Sequence, residues 1–461
     1  MRLTEVAQAL SAEAVGEDVE FTTVSTDTRN LPKGALFIAL RGERFDGHRF
    51  AAQALAAGAA AVMIDAAAQL SLAPAIVVPD TRLALGRLAA WHRSRQPAKV
   101  VAITGSNGKT TVKEMTAAIL RAHAVQTGTG AGAVLATEGN LNNDIGVPLM
   151  LLRLTPAHRY AVIEMGMNHP GELTYLSNLA RPDAALVNNA QRAHLEGLQT
   201  VEAVARAKGE IFTGLAADGI ALINADDPHT ALWRGMNAGR RIVSFGLAPQ
   251  ADVRVEHRPL AYGAALTLHT PVGTVQCELH APGLHNVRNA AAATAAALAL
   301  GASLDAVAQG LNGYTGVKGR LQRKECLLGA HLIDDTYNAN PDSVTAAIQV
   351  LASQPGKRIL VLGDMGELGP GAAELHREIG AKARAAGIER LFCLGELSIH
   401  AVEGFGPASD GQRAMHFERI EELLAEVENA LEPGATLLVK GSRFMQMERV
   451  VKSFEEAHQC S

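Results

Sequence analysis

Residues 104–111 read TGSNGKTT and follow the apolar run VVAI at 100–103. A strand, a glycine turn, a lysine and two threonines in this order suit a nucleotide phosphate. Backbone N–H groups across Gly105, Ser106, Asn107 and Gly108 can close on phosphate oxygens, Lys109 can lie against the β and γ oxygens, and Thr110, with Thr111 behind it, can turn a hydroxyl to Mg²⁺. The common phosphate loop is G-x-x-x-x-G-K-[ST], whereas here Ile103 stands five positions before Gly108, so the loop is two residues short. A plain strand-to-helix turn with a solvated lysine is the bland alternative, and the joint occurrence of all these parts outweighs it.

In open α/β sheets, ligands collect at the carboxyl ends of strands. Glu164 closes YAVIE, and Asn188, Asn189 and His194 follow AALV, which makes Glu164 and His194 candidate ligands of a second metal ion. Lys208 lies in TVEAVARAKGEIF on the same helical stripe as Val201, Val204, Ile211 and Phe212. It either carries its ammonium out to solvent or is a neutral amine that captures CO₂ as a carbamate, because an unpaired buried ammonium is costly. HLIDDTYNANPDS ends a strand in Asp334 and Asp335 and then turns into a helix, with Asp342 or Ser343 as its expected cap. Lys440, Ser442 and Arg443 occupy a similar turn and read equally well as local turn chemistry.

The elements that must position these residues are short Val/Ile-rich runs alternating with amphipathic segments: 100–104, 160–165, 184–189, 219–224, 331–335, 358–364, 390–395 and 436–441. This pattern predicts an α/β protein with parallel sheets covered by helices on both faces. Residues 51–78 read as a helix, a strand and a turn. The glycine-rich, basic stretch 311–323 reads as a hinge, and a second boundary near residue 80 sets apart a small α/β module. At 461 residues, two to four domains are expected.

The 42 Lys+Arg against 47 Asp+Glu give a net charge of −5 without a basic arm, which argues against a nucleic-acid partner. Cys277, Cys326, Cys393 and Cys460 are too scattered for a zinc site or a disulfide framework and suit a reducing compartment. Glu5 and Glu13 interrupt any export signal, and Gln53, Asp65 and Pro74 interrupt the most apolar stretch, so a cytoplasmic chain with no membrane span is expected.

Taken together, the motifs resemble the Mur ligases, ATP-dependent amide-forming enzymes of peptidoglycan synthesis, whose phosphate loop T-G-x-N/S-G-K-T/S is matched by TGSNGKTT. TEGNLNNDIGVPLMLLRL, EMGMNHPGEL, AHLEGL, AKGEIF, DDTYNANPDS and VLGDMGELG resemble the branch that adds D-alanyl-D-alanine to UDP-N-acetylmuramoyl-tripeptide, and the likeness runs the whole length. The resemblance implies a three-domain architecture: residues 1–80 binding the UDP substrate, a central P-loop ATPase-like parallel sheet over 81–313, and a Rossmann-like domain over 314–461. It implies ATP and Mg²⁺, with Lys109, Lys208 and His194 catalytic, and Thr110, Glu164, His194 and a carbamylated Lys208 around metal. It also implies Asn286 and Asn289 near adenine, Arg320 and Asp335 reaching the nucleotide, Ser25, Asp27 and Arg29 on the UDP moiety, Asn142 and Asn143 facing the tripeptide, and a monomer. A folylpolyglutamate-synthase-like ligase shares the loop and the lysine but should lack the STDTR segment and GNLNND, and a non-ligase ATPase would end the strand at 164 in Asp.

Overall fold

A computed structural model describes residues 1–42 and 45–455. Among the described residues it contains three large sheets, each built mainly from the solid apolar runs, and a two-stranded ribbon of Arg41–Gly42 with Phe45–Asp46. The first has strand order Glu13–Val15, Ala75–Val78, Ala61–Asp65, Leu36–Ile38 and Val24–Ser25, all parallel except the first. Residues 51–78 thus hold one strand more than expected, since Ala75–Val78 pairs with Ala61–Asp65 where only a turn was read.

The second sheet runs from Val134–Ala136 at one edge through Tyr160–Glu164, Lys99–Thr104, Ala184–Val187, Ile220–Asn224, Arg241–Gly246 and Val253–Pro259, all parallel. Ala264–Thr270 and Gly273–Leu279 extend it antiparallel. This meander escaped the sequence reading because its burial alternates along the strand, giving no continuous apolar run. The third sheet orders Gln322–Glu325, His331–Asp335, Thr436–Lys440, Arg358–Gly363, Arg390–Leu394 and Arg413–Phe417, parallel after the first pair.

Successive strand residues serve opposite faces. Val101 and Ile103 pack with helix residues Val112 and Ala290 on one side of the second sheet, while Val100 and Ala102 pack with Leu85 and Leu176 on the other. In the third sheet, Ile333, Leu360 and Leu438 face one core, and Leu332, Val361 and Val439 face another. Both are three-layer sandwiches, the arrangement that covered parallel strands require.

The boundary near residue 80 is a change of sheet rather than a gap. Asp80 caps the helix Thr81–Ser94 by accepting from Arg82 N and Leu83 N, and Leu85 and Leu88 of that helix share one core with Ile38, Met63 and Ile76 of the first sheet, Ile163 of the second and Met150 of the helix Gly146–Leu152. Contacts to the third sheet are mostly polar. The helix Leu304–Asn312 ends at the expected hinge, where Tyr314 still packs in the central core and Gln322 opens the next strand.

Cys277, Cys326 and Cys393 are buried, while Cys460 lies outside the described residues. No helix among the described residues is long and apolar enough to cross a membrane.

Candidate active site

The strand Lys99–Thr104 feeds the loop 105–108, and the helix Lys109–Gln126 starts immediately after it. Gly108 caps this helix at φ +79°, and a Cβ there would lie 2.6 Å from Asn289 Oδ1 and 2.7 Å from Asn188 Nδ2. Glycine is therefore demanded twice, by backbone and by space. A chain of asparagines holds the loop from behind. Asn188 Nδ2 donates to Asn107 O and Asn289 Oδ1, Asn289 Nδ2 donates to Asn286 Oδ1, and Asn189 Oδ1 accepts from Asn107 N. Asn289, with Asn286 behind it, thus braces the loop through Asn188, and both also line the cavity beside it.

Lys109 curls over its own loop, donating to Gly105 O at 2.7 Å. Burial pulls its ammonium below the ordinary value, and Arg320 adds to this while Glu164 and Glu367 oppose it. Thr110 Oγ1 donates to Glu164 Oε2 at 2.8 Å, and Asn142 Nδ2 donates to Glu164 Oε1 at 2.8 Å. Glu164 is 2% exposed, and its hydrogen bonds come from neutral groups. A buried carboxylate beside a hydroxyl is oxygen-donor chemistry suited to a hard cation such as Mg²⁺. Among the described residues no three of His, Cys, Asp and Glu gather as a metal cluster.

Lys208, in the helix Val201–Gly209, is 1% exposed and makes no hydrogen bond or ion pair among the described residues. The reading in which its head reaches solvent is thereby excluded. Burial drives its pKa well down, and the nearby Lys109 charge pushes it further.

The third sheet contributes across the cleft. Arg320 Nη2 donates to Thr110 Oγ1 at 2.9 Å, and its guanidinium stacks on the Tyr337 ring at 4.2 Å. Asp335 pairs with Lys440 Nζ at 2.7 Å, although burial raises its pKa, so Lys440 is an ion-pair partner rather than a turn residue. Asn340 exchanges amide hydrogen bonds with Asn107. It also caps the helix Pro341–Ala352, the place expected of Asp342 or Ser343, because Asp342 instead binds the guanidinium and backbone N–H of Arg192. His194 Nδ1 meets Glu367 Oε2 at 2.8 Å, holding the Glu367 carboxyl below its usual value.

The chain is similar to Mur ligases over nearly its whole length. Family models match residues 20–118 (Mur ligase family, catalytic domain), 103–297 (Mur ligase middle domain) and 319–443 (Mur ligase, glutamate ligase domain). The UDP-N-acetylmuramoyl-tripeptide--D-alanyl-D-alanine ligase of Escherichia coli is 46% identical, with 99% of each chain covered. The chain belongs to the Mur ligase family. Among solved structures, the UDP-N-acetylmuramoylalanyl-D-glutamyl-2,6-diaminopimelate--D-alanyl-D-alanyl ligase of Acinetobacter baumannii matches with TM-score 0.83 and 36% identity, covering 98% of this chain and 97% of that one. A Thermotoga maritima MurF ligase in complex with ADP matches with TM-score 0.80 and 26% identity, covering 94% and 96%.

In this Mur ligase, a cavity of about 1590 Å³ lies between the phosphate loop and the third sheet. Ser106, Asn107, Lys109, Thr111, Asn142, Asn143, Glu164, His194, Arg320 and Asp335 line it; Gly105, Thr110 and Lys208 stand behind its wall. Asn143 also accepts from Ile145 N and Gly146 N at the start of the helix Gly146–Leu152, a structural duty the sequence reading missed. Ser25, Asp27 and Arg29 lie outside this cavity, in a turn where Arg29 grips the Asp27 carboxylate through two nitrogens and holds its pKa at about 2. The sequence reading also missed Arg192 and Gln191, which clamp the loop to the third sheet. Their partners are far away in sequence, and only the repeated polar residues after AALV hinted at them.

Proposed function

We propose that this chain joins D-alanyl-D-alanine to UDP-N-acetylmuramoyl-tripeptide, consuming ATP and giving the pentapeptide precursor, ADP and phosphate. The observation that carries the reading is the 46% identity, over 99% of both chains, to the E. coli ligase of that name. In this reading Lys109 and the loop amides bind the β and γ phosphates while the tripeptide carboxylate attacks the γ-phosphorus. The product of that step is an acyl phosphate. The amine of D-alanyl-D-alanine then adds to its carbonyl carbon, and phosphate leaves as the amide forms.

Mg²⁺, when bound, supplies positive charge against the transferring phosphoryl group. Thr110, Glu164, His194 and a carbamylated Lys208 are the residues proposed to hold it. Arg320, arriving from beyond the hinge to Thr110, adds a further cation and helps exclude water. Asp335 organises that approach by holding Leu321 N and Lys440.

Incubation with ATP, D-alanyl-D-alanine and UDP-N-acetylmuramoyl-tripeptide, read by mass spectrometry, is expected to show the pentapeptide with one ADP per product. ATP hydrolysis without amide would refute the ligase reading.

A further inference from the structure

The cavity continues from Glu164 past Asn142 to a second polar wall formed by Arg82, Asp144 and Tyr175. Arg82 opens the helix Thr81–Ser94, and Asp144 sits in the loop before Gly146–Leu152. Arg82 Nε donates to Asp144 Oδ2. Its two terminal nitrogens and Asp144 Oδ1 make no hydrogen bond among the described residues. The other carboxylates on this wall are occupied: Asp80 caps the helix through Arg82 N and Leu83 N, and Glu172 accepts from Asn168 N and His169 N. Tyr175 seats its hydroxyl where a Cβ on Gly86 would lie 2.0 Å away, so the wall is closely fitted behind.

An ion pair in which the cation keeps a free two-pronged edge and the anion keeps a free oxygen is complementary to a group bearing both a carboxylate and an ammonium. Asp144 lies two residues beyond Asn142, which hydrogen-bonds Glu164, so the Cα atoms of Asn142 and Asp144 are at most roughly 7 Å apart. A side chain of four or five bonds spans that distance.

We propose that Arg82 and Asp144 read the third residue of the stem peptide, Arg82 binding a side-chain carboxylate and Asp144 a side-chain ammonium, and so select a diamino diacid over lysine. This rests on the ligase reading above. The name of the Acinetobacter relative carries that chemistry, 2,6-diaminopimelate.

The test measures kcat and KM for the diaminopimelate- and lysine-containing UDP-tripeptides with wild type, Arg82→Gln and Asp144→Asn. Wild type is expected to favour the diaminopimelate substrate. Arg82→Gln should raise its KM about 10- to 100-fold, the scale of a lost charged hydrogen bond, with little change in kcat or in either parameter for the lysine substrate. The lysine substrate serves as the internal control for folding. Asp144→Asn should raise KM for both tripeptides, since both carry the side-chain ammonium. Equal losses on both tripeptides with Arg82→Gln, a rise confined to the KM of D-alanyl-D-alanine, or no change with either variant would overturn the assignment. Absence of amide from both tripeptides with wild type would instead overturn the ligase reading.

Discussion

Lys208 carries the strongest single demand on the chemistry, since a buried ammonium beside Lys109 has no partner to offset its desolvation. Reaction of the neutral amine with CO₂ replaces that cation by an anion with two oxygen donors, which suits both the burial and a hard metal ion. Lys208→Ala is expected to lower kcat by about 100-fold or more with an unchanged circular dichroism spectrum, and short carboxylic acids should restore part of the activity. Lys208→Arg should not be rescued. Full wild-type activity after removal of CO₂ and bicarbonate would exclude the carbamate. A second residue gives a pH signature. His285 lines the cavity, and burial, with Lys440 and Arg288 nearby, pulls it from 6.5 to about 4. The unfolded chain therefore binds this proton more readily, so the contribution of His285 to stability is complete above pH 6.5 and is lost as the pH falls toward 4. Thermal melts across that window should fall more steeply for wild type than for His285→Gln, and parallel curves would count against it.

At the scale of elements, the strands that carry the site were legible because strands buried on both faces must be solidly apolar, and KVVAIT, YAVIE and TLLVK are. The short loop was legible because its glycines, lysine and threonines are contiguous. The meander 253–279 was not, since each of its strands alternates, and neither were pairings such as Arg192 with Asp342, 150 residues apart, because nothing local marks a partner. Asn143 illustrates the same limit. Its motif suggested a substrate contact, yet its side chain holds the first N–H groups of the helix Gly146–Leu152, and the following Asp144 needs that helix to be positioned. Asn143→Ala should cost about 1 kcal/mol, the usual loss of a cap, and lower Tm by about 2–4 °C, whereas Asn143→Asp should keep most of the stability. Equal melting of Asn143→Ala and wild type would return the residue to a purely substrate-facing role.

Across the whole molecule, the kinds of contact differ at the two seams. Between the first and second sheets the core is continuous, with Met63 and Ile76 in the same apolar cluster as Leu85 and Ile163. Between the second and third, the contacts are polar: Arg192 to Asp342 and Glu378, Asn107 to Asn340, His194 to Glu367 and Arg320 to Thr110. Such contacts exchange readily with water and are worth little individually, so this seam is the one suited to opening and closing around ligands. The cut that respects the packing falls after Val317, because Tyr314 and Val317 belong with the central core while Leu321 packs with Ile333 and Leu360. A fragment of residues 1–317 should therefore fold cooperatively and bind UDP-N-acetylmuramoyl-tripeptide, yet form no amide, because Arg320, Asp335 and Asn340 are gone. Isothermal titration together with product analysis tests both halves of that statement. Ligation by the fragment would remove closure of the third sheet from catalysis, and failure of the fragment to fold would show that the polar seam is as essential to stability as the apolar one.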